Sequence, residues 1–306
     1  MLTFVLRRFL ASILVLFAVA SATFFALHLS GDPVTASLQA NGATPEEIHQ
    51  VREQLGYNRP LLLQYVHYVA DLLHGDLGVS FRYGTKTLPI VMERLPFTLY
   101  LAAVALVITL IVSLPLGMLA AARHGKLTDR VICAFAALGQ SVPTFVTGPA
   151  LILLFAVTVR WFPVSGAAKP SAVVLPAVTL SIFAIARVAR LLRSSMLEVA
   201  DADYVRSARA KGLSERRVLS RYIVRNALLP VITLISIQVA SLLGGAVVVE
   251  AIFGWPGIGN LAHSALQADD FTLAQTIVLV IAVGVVVINF VTDLIYAFID
   301  PRIRYE

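Results

Sequence analysis

The sequence predicts an all-α integral membrane protein with six transmembrane helices. Of its 306 residues 58% are hydrophobic and 14% are charged, with a mean hydropathy of +0.83, whereas soluble domains carry about 25% charged residues. Six apolar stretches are long enough to cross a hydrocarbon core of about 30 Å, which takes roughly 20 helical residues. The sequence lacks alternating apolar and polar strands, so helices are the structure that satisfies the backbone of these spans.

The predicted spans are residues 9–29, 97–122, 131–159, 172–192, 228–249 and 273–299. The first follows Arg7 and Arg8 and so could be taken for a secretory signal peptide. Its apolar run of about 20 residues is longer than the roughly 7 to 15 of a signal peptide, and no small-residue cleavage site closes it. We expect it to be kept as the first transmembrane helix.

The distribution of basic residues predicts the orientation in the membrane. With the N-terminus inside, 17 of the 24 Lys and Arg residues fall in cytoplasmic segments and seven in outer segments, which is the asymmetry of the positive-inside rule. Both termini are therefore predicted to be cytoplasmic. The pI near 9.7 does not indicate a nucleic-acid partner, because the basic residues cluster at the ends of spans. The predicted partner of these charges is the lipid bilayer.

The long segment 31–95 is predicted to be extracytoplasmic and helical. Thr44-Pro45-Glu46-Glu47 has the residues of a helix start, with Gly56 as a stop, and a second helix is expected from Pro60 to about His74. Two interpretations stay open. The helices either lie on the membrane surface and cover the bundle, or they form a platform for an external substrate-binding protein.

Several spans contain prolines next to polar residues. Prolines 115, 143, 149, 176 and 230 delete backbone hydrogen bonds, and such breaks are tolerated where they are buried in protein or line a water-filled path. Polar side chains in the spans are candidates for that path, because an unpaired amide in lipid is costly. Hydrogen bonding between helices is the alternative. The candidates are Gln140, Ser141, Thr179, Gln238 and Asn289.

The sequence shows no motif for catalysis in this chain. The phosphate-binding pattern Gly-x-x-x-x-Gly-Lys-Ser/Thr is missing, the six histidines are dispersed, and Cys133 is the only cysteine. Asp293 is the ionisable group placed clearly inside a predicted span, and we expect it to pair with an arginine at the inner end. We therefore predict no enzyme activity, no bound cofactor and no metal in this chain.

The predicted cytoplasmic loop 193–227 carries the strongest signal. Residues 187–225 hold ten Lys and Arg against four acidic residues. A helix is predicted from Tyr204 to Lys211 with Gly212 as its stop, and Ser214 is expected to cap a second helix running toward Asn226. Positive-inside topology or binding to anionic lipid explains a charge stripe by itself. Two helices split by a glycine indicate instead an element that another protein grips.

The loop resembles that of permeases in the peptide family of ABC importers. In ABC importers this loop follows a pattern of Glu-Ala-Ala, three residues, Gly and a distal Leu-Pro. Gly212 and Leu229-Pro230 match it, while Arg206-Ser207-Ala208 stand where Glu-Ala-Ala would fall. The missing Glu means that contacts credited to it cannot be assigned to Arg206. Further matches are Gly75-Asp-Leu-Gly78, Glu93-Arg-Leu-Pro96, Glu250-Ala-Ile-Phe-Gly-Trp-Pro-Gly257 and Asp300-Pro-Arg-Ile-Arg304.

The resemblance implies a binding-protein-dependent type I permease in the cytoplasmic membrane of a prokaryote. Its segments would be a first helix (1–30), the outer segment (31–95), a five-helix core (96–299) and a cytoplasmic tail (300–306). Implied partners are a second, homologous permease, two ATPase subunits or one fused ATPase that bind ATP and magnesium, and an extracytoplasmic binding protein. The residues expected at the ATPase are Asp203, Tyr204, Val205, Arg206, Ala208, Arg209, Lys211, Gly212 and Leu213.

The resemblance also implies the transport reaction. Closure of the ATPases would push the helix at 203–211 and switch the bundle between inward-open and outward-open states. The expected cargo is di- or oligopeptide, with a nickel chelate or another small solute as the alternative. An ATP-independent secondary carrier is the competing class.

Overall fold

The computed structural model describes residues 2–30, 35, 42–54 and 58–299, and its described parts are helical apart from one isolated bridge between Val79 and Lys86. The main helices are α1 (Leu2–Ser30), α2 (Pro45–Gln54), α3 (Leu61–Leu73), α4 (Thr87–Ala122), α5 (Leu127–Ser141), α6 (Thr144–Leu151), α7 (Val174–Ala200), α8 (Asp203–Ala210), α9 (Arg225–Phe253), α10 (Ile258–Gln267) and α11 (Phe271–Ile299). Turns of π-helix, Ile152–Thr158 and Val218–Val224, follow α6 and lead into α9.

The helices give up to six membrane spans within the described residues. Five stretches are long and apolar enough to cross a membrane: Val5–Ala26, Thr87–Ala122, Pro170–Ala200, Glu215–Phe253 and Phe271–Asp293. The sixth is a bent pair, Leu127–Ser141 with Thr144–Thr158, whose axes differ by 106°. The predicted class of all-α membrane protein is confirmed.

The third predicted span, residues 131–159, is interrupted at Pro143, one of the prolines expected to break the spans. It is broken at Val142, which has extended φ and ψ of −93° and 120°. The physical reason is Pro143, because the ring of a proline disfavours helical geometry at the preceding residue. The other predicted proline breaks do not end helices: α4 is continuous through Pro115 and α9 through Pro230.

Two predicted boundaries also differ. The helix of the second span begins at Thr87 instead of residue 97, so the boundary predicted at 95/96 falls inside α4. The fourth span continues as helix to Ala200 instead of ending near residue 192. Both differences have the same cause, because polar helical turns that project past the apolar core carry no hydropathy signal. The predicted tail 300–306 and the predicted stop at Gly56 lie outside the described residues.

The chain forms two compact units, residues 1–98 with 256–306, and residues 99–255. In the first unit α1 packs along α11, and α10 packs against α11 through a cluster that includes Val91, Ile258 and Ile277. Arg8 of α1 forms an ion pair with Asp293 of α11. This confirms the expected pairing of Asp293 with an arginine from the end of another span.

The outer helices α2 and α3 belong to the first unit. α2 begins with a capping box, in which the backbone N–H of Thr44 donates to Glu47 Oε2 at 2.7 Å and the N–H of Glu47 donates to Thr44 Oγ1 at 3.4 Å. These bonds hold the pKa of the Glu47 carboxyl below its ordinary value. α3 lies against α1, where Tyr65 bonds to Ser21 at 2.6 Å and stacks on Phe25. The predicted helix starts are confirmed here.

In the second unit α7 is the central helix, and α5, α6 and α9 pack against it. Two apolar clusters fill the spaces between these helices. α4 approaches α7 closely at Gly117, where an added Cβ would lie 2.9 Å from the carbonyl oxygen of Ala189. A small residue lets helix backbones come together without side chains between them. Trp255 is buried in the first of these clusters.

Candidate coupling surface and translocation path

Helix α8 ends in a Schellman motif that fixes the turn after it. The N–H of Gly212 donates to the carbonyl of Arg209 at 2.9 Å, and the N–H of Leu213 donates to the carbonyl of Ala208 at 3.4 Å. Gly212 has φ of 76°, and a side chain there would meet no atom within 4 Å. The backbone conformation, and not lack of space, therefore requires glycine at this position.

One face of α8 is buried inside the chain. Val205 is 0% exposed and Ala208 is 4% exposed, and both lie in the apolar cluster that includes Val188 of α7 and Val231 of α9. The spacing of three residues places the two side chains on the same face of a helix. They were expected among the ATPase contacts, but the chain itself covers them. Their place in the cluster fixes α8 to the end of α7 and to the π-helical turn that leads into α9.

The opposite face of α8 is exposed and largely basic. Tyr204 is 46% exposed, and two ion pairs lie at the ends of the helix, Arg206 with Asp203 at 3.5 Å and Arg209 with Glu215 at 2.9 Å. The remaining residues of the predicted coupling set are Lys211 and Gly212, which are exposed, and Leu213, which is partly buried against the same cluster. The helix therefore has one face attached to the bundle and one available to a partner.

The second helix of the loop is not a separate element. Ser214 has the backbone conformation of an N-cap, but its side chain makes no capping hydrogen bond. Helical residues then continue from Glu215 through the π-helical turns into α9, giving a stretch of 39 residues. The expectation of a second helix ending near Asn226 is therefore corrected. The turn after α8 connects directly to a membrane span.

A buried carboxylate joins α5 to α7 within the second unit. Asp129, which is 3% exposed, accepts two hydrogen bonds from Arg193, at 2.5 Å to Oδ1 and 2.8 Å to Oδ2. The N–H of Gly125 donates to the same carboxylate at 2.9 Å, and His124 lies 3.3 Å away. A bidentate pair with a further backbone donor satisfies a buried carboxylate well. From the sequence, Arg193 was predicted only as one of the basic residues of the cytoplasmic loop, with no partner assigned.

The structure distributes the five predicted path residues differently. Thr179 is 0% exposed and donates to the carbonyl of Leu175 in its own helix at 2.8 Å, and Ser141 donates to that of Ala137 at 2.9 Å. Both hydroxyls donate within their own helices, so neither forms the hydrogen bond between helices that was the alternative to a place on the path. Asn289 lies in α11 and so belongs to the other unit.

The two glutamines are bonded to arginines of α7. Arg187 Nη1 donates to Gln238 Oε1 at 3.1 Å, and Arg190 donates to Gln140 Oε1. Both arginines were predicted to belong to the basic segment 187–225, and Asp293 was the ionisable group expected inside a span. Arg187 instead lies at the middle of α7. Its signal in the sequence was the spacing of 187, 190 and 193 on one face of an apolar helix.

A second buried carboxylate, in the first unit, was not predicted from the sequence. Asp270, 1% exposed, precedes α11 and accepts from the N–H of Leu273 at 3.1 Å, as a helix N-cap does. It also accepts from the hydroxyl of Ser80, and Thr276 bonds to Thr87 at 2.8 Å. These bonds tie the loop that contains the Gly75–Gly78 motif to the start of α11. An Asp one residue before an apolar run is the sequence signal that identifies it.

The described residues contain no group of three or more His, Cys, Asp or Glu side chains that could hold a metal ion.

Comparison with known proteins gives consistent matches along the chain. Residues 1–102 match the family described as binding-protein-dependent transport system membrane component, N-terminal, and residues 113–305 match the family described as binding-protein-dependent transport system inner membrane component. The chain is 40% identical to the probable peptide ABC transporter permease protein y4tP of Sinorhizobium fredii, with 99% of each chain covered.

Two other relatives cover the full length of both chains. The dipeptide transport system permease protein DppB of Escherichia coli K12 is 35% identical, and the glutathione transport system permease protein GsiC of Escherichia coli O6:H1 is 36% identical.

Solved structures share the fold at lower identity. An inward-facing MetNI methionine ABC transporter chain has a TM-score of 0.60 at 19% identity, covering 70% of this chain and 97% of its own. A chain of an amino acid ABC transporter crystallised with histidines has a TM-score of 0.56 at 18% identity, covering 68% and 93%.

Proposed function

We propose that this chain, which belongs to the family of binding-protein-dependent transport system inner membrane components, is the permease subunit of an ATP-driven importer of di- and oligopeptides. The relatives that match it over their full length are named as peptide, dipeptide and glutathione permeases. A nickel chelate or another small solute is the alternative cargo. Such permeases are not catalytic themselves, so ATP and magnesium bind to separate ATPase subunits.

The observation that carries the proposal is the division of α8 into two faces. Val205 and Ala208 lie in one cluster with residues of both α7 and α9. Because packed interiors are nearly incompressible, a displacement of α8 moves the ends of both spans with it. The exposed face, with Tyr204 and Lys211, is then the contact surface for an ATPase. ATP-driven closure would act through this helix to alternate the access of the bundle.

The remaining partners follow from the same class. A second, homologous permease completes the path, and an extracytoplasmic binding protein delivers the cargo. Both termini and α8 lie on the cytoplasmic side, in agreement with the excess of Lys and Arg in these segments. The ATPase is either two chains or one fused chain.

The outer helix α3 is the proposed contact for the binding protein. It has no buried residue, and Leu62 and Leu73 are 71% and 81% exposed. Exposed apolar side chains on an element outside the spans are typical of an interaction surface. Partial burial of the Tyr68 side chain raises its pKa to about 12. Coverage of the membrane surface is the competing role.

Reconstitution in proteoliposomes tests the proposed function. The chain is combined with its permease partner, the ATPases and the binding protein, and uptake of a labelled dipeptide is measured with ATP inside the vesicles. We expect uptake that requires ATP hydrolysis and the binding protein, and that survives collapse of the proton gradient. Uptake by this chain alone, without ATPases, would refute the proposal in favour of a secondary carrier.

Replacing residues 44–74 with a short flexible linker tests the role of the outer helices. If they form the platform, uptake driven by the binding protein falls while the ATPases remain attached. Unchanged uptake assigns these helices to coverage of the membrane surface.

A further inference from the structure

We propose that Arg187 and Arg190 of α7 form a binding site for the C-terminal carboxylate of the peptide during its passage through the permease. This inference rests on the proposed function, because it assigns a chemical group of the proposed cargo to a place in the path. It concerns the permease itself and is separate from selection by the binding protein.

Arg187 bonds to an amide that lies deep within α9. Gln238, the partner of Arg187, lies near the middle of α9 (Arg225–Phe253), about 20 Å from either end at about 1.5 Å per residue. Arg187 lies within the apolar part of α7, which runs to about residue 192 before the helix projects past it to Ala200. The positive-inside rule accounts for arginines at the inner ends of spans. It does not account for a guanidinium bonded to an amide at mid-helix, and an ionisable residue at such depth is typical of a substrate path.

Arg187 and Arg190 differ from Arg193 in their charge partners. Among the described residues no carboxylate pairs with Arg187 or Arg190, whereas Arg193, one turn further along the same face, is paired with Asp129. Arg187 is partly buried and Arg190 is exposed, and two neighbouring positive charges without a counterion repel each other. A bound carboxylate would supply the missing negative charge, and the planar guanidinium is suited to binding it through two hydrogen bonds.

The two arginines and their glutamine partners have more hydrogen-bond donors than acceptors. Each guanidinium has five N–H donors and no acceptor. The amide oxygens of Gln238 and Gln140 each accept one of these hydrogen bonds, and the nitrogen of Gln140 is a further donor. This Nε2 is buried and has no hydrogen-bond partner in the part of the chain that the structure describes. A carboxylate has two oxygens that accept such bonds.

The break in the third span comes a few residues after Gln140. Gln140 is next to the last residue of α5, and α6 begins at Thr144 after Pro143. The first N–H groups of a helix have no partner within the helix, and half-helix N-termini in transporters bind anionic groups of substrates. The ring of Phe183, 42% exposed, lies 5.7 Å from the guanidinium carbon of Arg187. The site therefore combines positive charge with an apolar wall.

Thiol labelling tests the anion site without requiring transport. Cys133, the only cysteine, is replaced with alanine, and Phe183→Cys is introduced into the purified importer in nanodiscs. We expect an anionic methanethiosulfonate to react about tenfold faster, relative to a cationic one, when both arginines are present than in Arg187→Gln/Arg190→Gln. The same ratio in both backgrounds would overturn the proposal.

Uptake tests the identity of the anion. Two peptides differing only in a C-terminal carboxylate or amide are supplied already loaded on the binding protein. We expect Arg187→Gln/Arg190→Gln to lower uptake of the carboxylate form about tenfold relative to the amide form, and Arg187→Lys to lower it less. Arg160→Gln, an exposed arginine outside the site, is the matched control and should leave the ratio unchanged.

The other outcomes are distinguishable. Equal loss for the two peptides overturns the proposal and indicates that the arginines pair with another subunit. A loss that depends on the content of anionic lipid, with no discrimination between peptides, also overturns it and indicates a phosphate headgroup. If the wild-type importer takes up neither peptide with ATP, the proposed function fails, while the labelling result still decides whether an anion site exists.

Discussion

The helices α3 and α8 have the same ending but different attachment. In α3 the N–H of Gly75 donates to Leu72 and that of Asp76 to Asp71, at 3.0 and 2.9 Å, which is the Schellman motif found after α8. The φ of Gly75 is 77°, against 76° for Gly212. However, α3 buries no residue, whereas α8 buries Val205 and Ala208.

Local sequence therefore sets where a short helix ends, whereas burial decides whether a displacement of that helix moves the spans. α8 is embedded in the cluster between α7 and α9. α3 contacts α1 through aromatic side chains, with Tyr68 stacked on Phe24 at 5.2 Å, and leaves its other apolar side chains exposed. The first arrangement suits a lever that moves with the spans. The second suits a docking surface.

Gly212→Pro gives the largest expected effect. Proline cannot adopt positive φ and lacks the N–H that bonds to Arg209, a local cost of about 3 kcal/mol or more. We expect peptide uptake per ATP hydrolysed to fall at least tenfold, with the chain still inserted in the membrane. Gly75→Pro does the same local damage to α3 and is the matched control. Equal loss of coupling in the two variants would show that the end of α8 has no special role in coupling.

Val205→Ala is expected to have the next largest effect. Removing two methyl groups from a fully buried site lowers the free energy of unfolding by about 2 kcal/mol. Val66→Ala in α3, where the side chain is 60% exposed, should change it by less than about 0.5 kcal/mol. Thermal unfolding of the purified complex measures both. Similar shifts in the two variants would show that α8 is no better attached than α3.

Lys211→Glu addresses the exposed face. The side chain is exposed and belongs to no ion pair in the described residues, so the unfolding midpoint should not change. We expect uptake to fall a few-fold, because reversing a charge at the rim of an interface weakens association. Higher salt should narrow the gap between variant and wild type. Normal affinity for the ATPases at low salt would remove Lys211 from the contact surface.

The smallest expected effect is an acid sensitivity of the α3 ending. The N–H of Gly78 and the ammonium of Lys86, both 3.1 Å away, hold the pKa of Asp76 below its ordinary value of 3.8. The stabilisation is present above the ordinary pKa and is lost as the pH falls through the lowered pKa. The protection factors for hydrogen exchange in residues 61–78, corrected for the pH dependence of intrinsic exchange, should therefore fall slightly in acid. Asp76→Asn should remove this dependence, and an unchanged profile in that variant would refute the cause.

Sequence reasoning located the features that depend on local residues. The start of α2 followed from Thr44 and Glu47, and the end of α8 followed from Gly212. It failed where distant residues decide. Asp129 and Arg193 are far apart in the chain, and their pairing across α5 and α7 has no local signal. The same holds for Arg187 with Gln238, so both arginines were first counted as loop charges.

The residue order was enough to predict the class of protein, the six spans, the proline break in the third span and the short helix with its glycine stop, because apolar length, proline geometry and positive φ are properties of neighbouring residues. Only contacts between helices place one face of α8 against α7 and the π-helical turn before α9, and join Arg187 to an amide instead of a carboxylate. These features depend on which helices come together, and packing between helices is set by contacts over long separations in the chain.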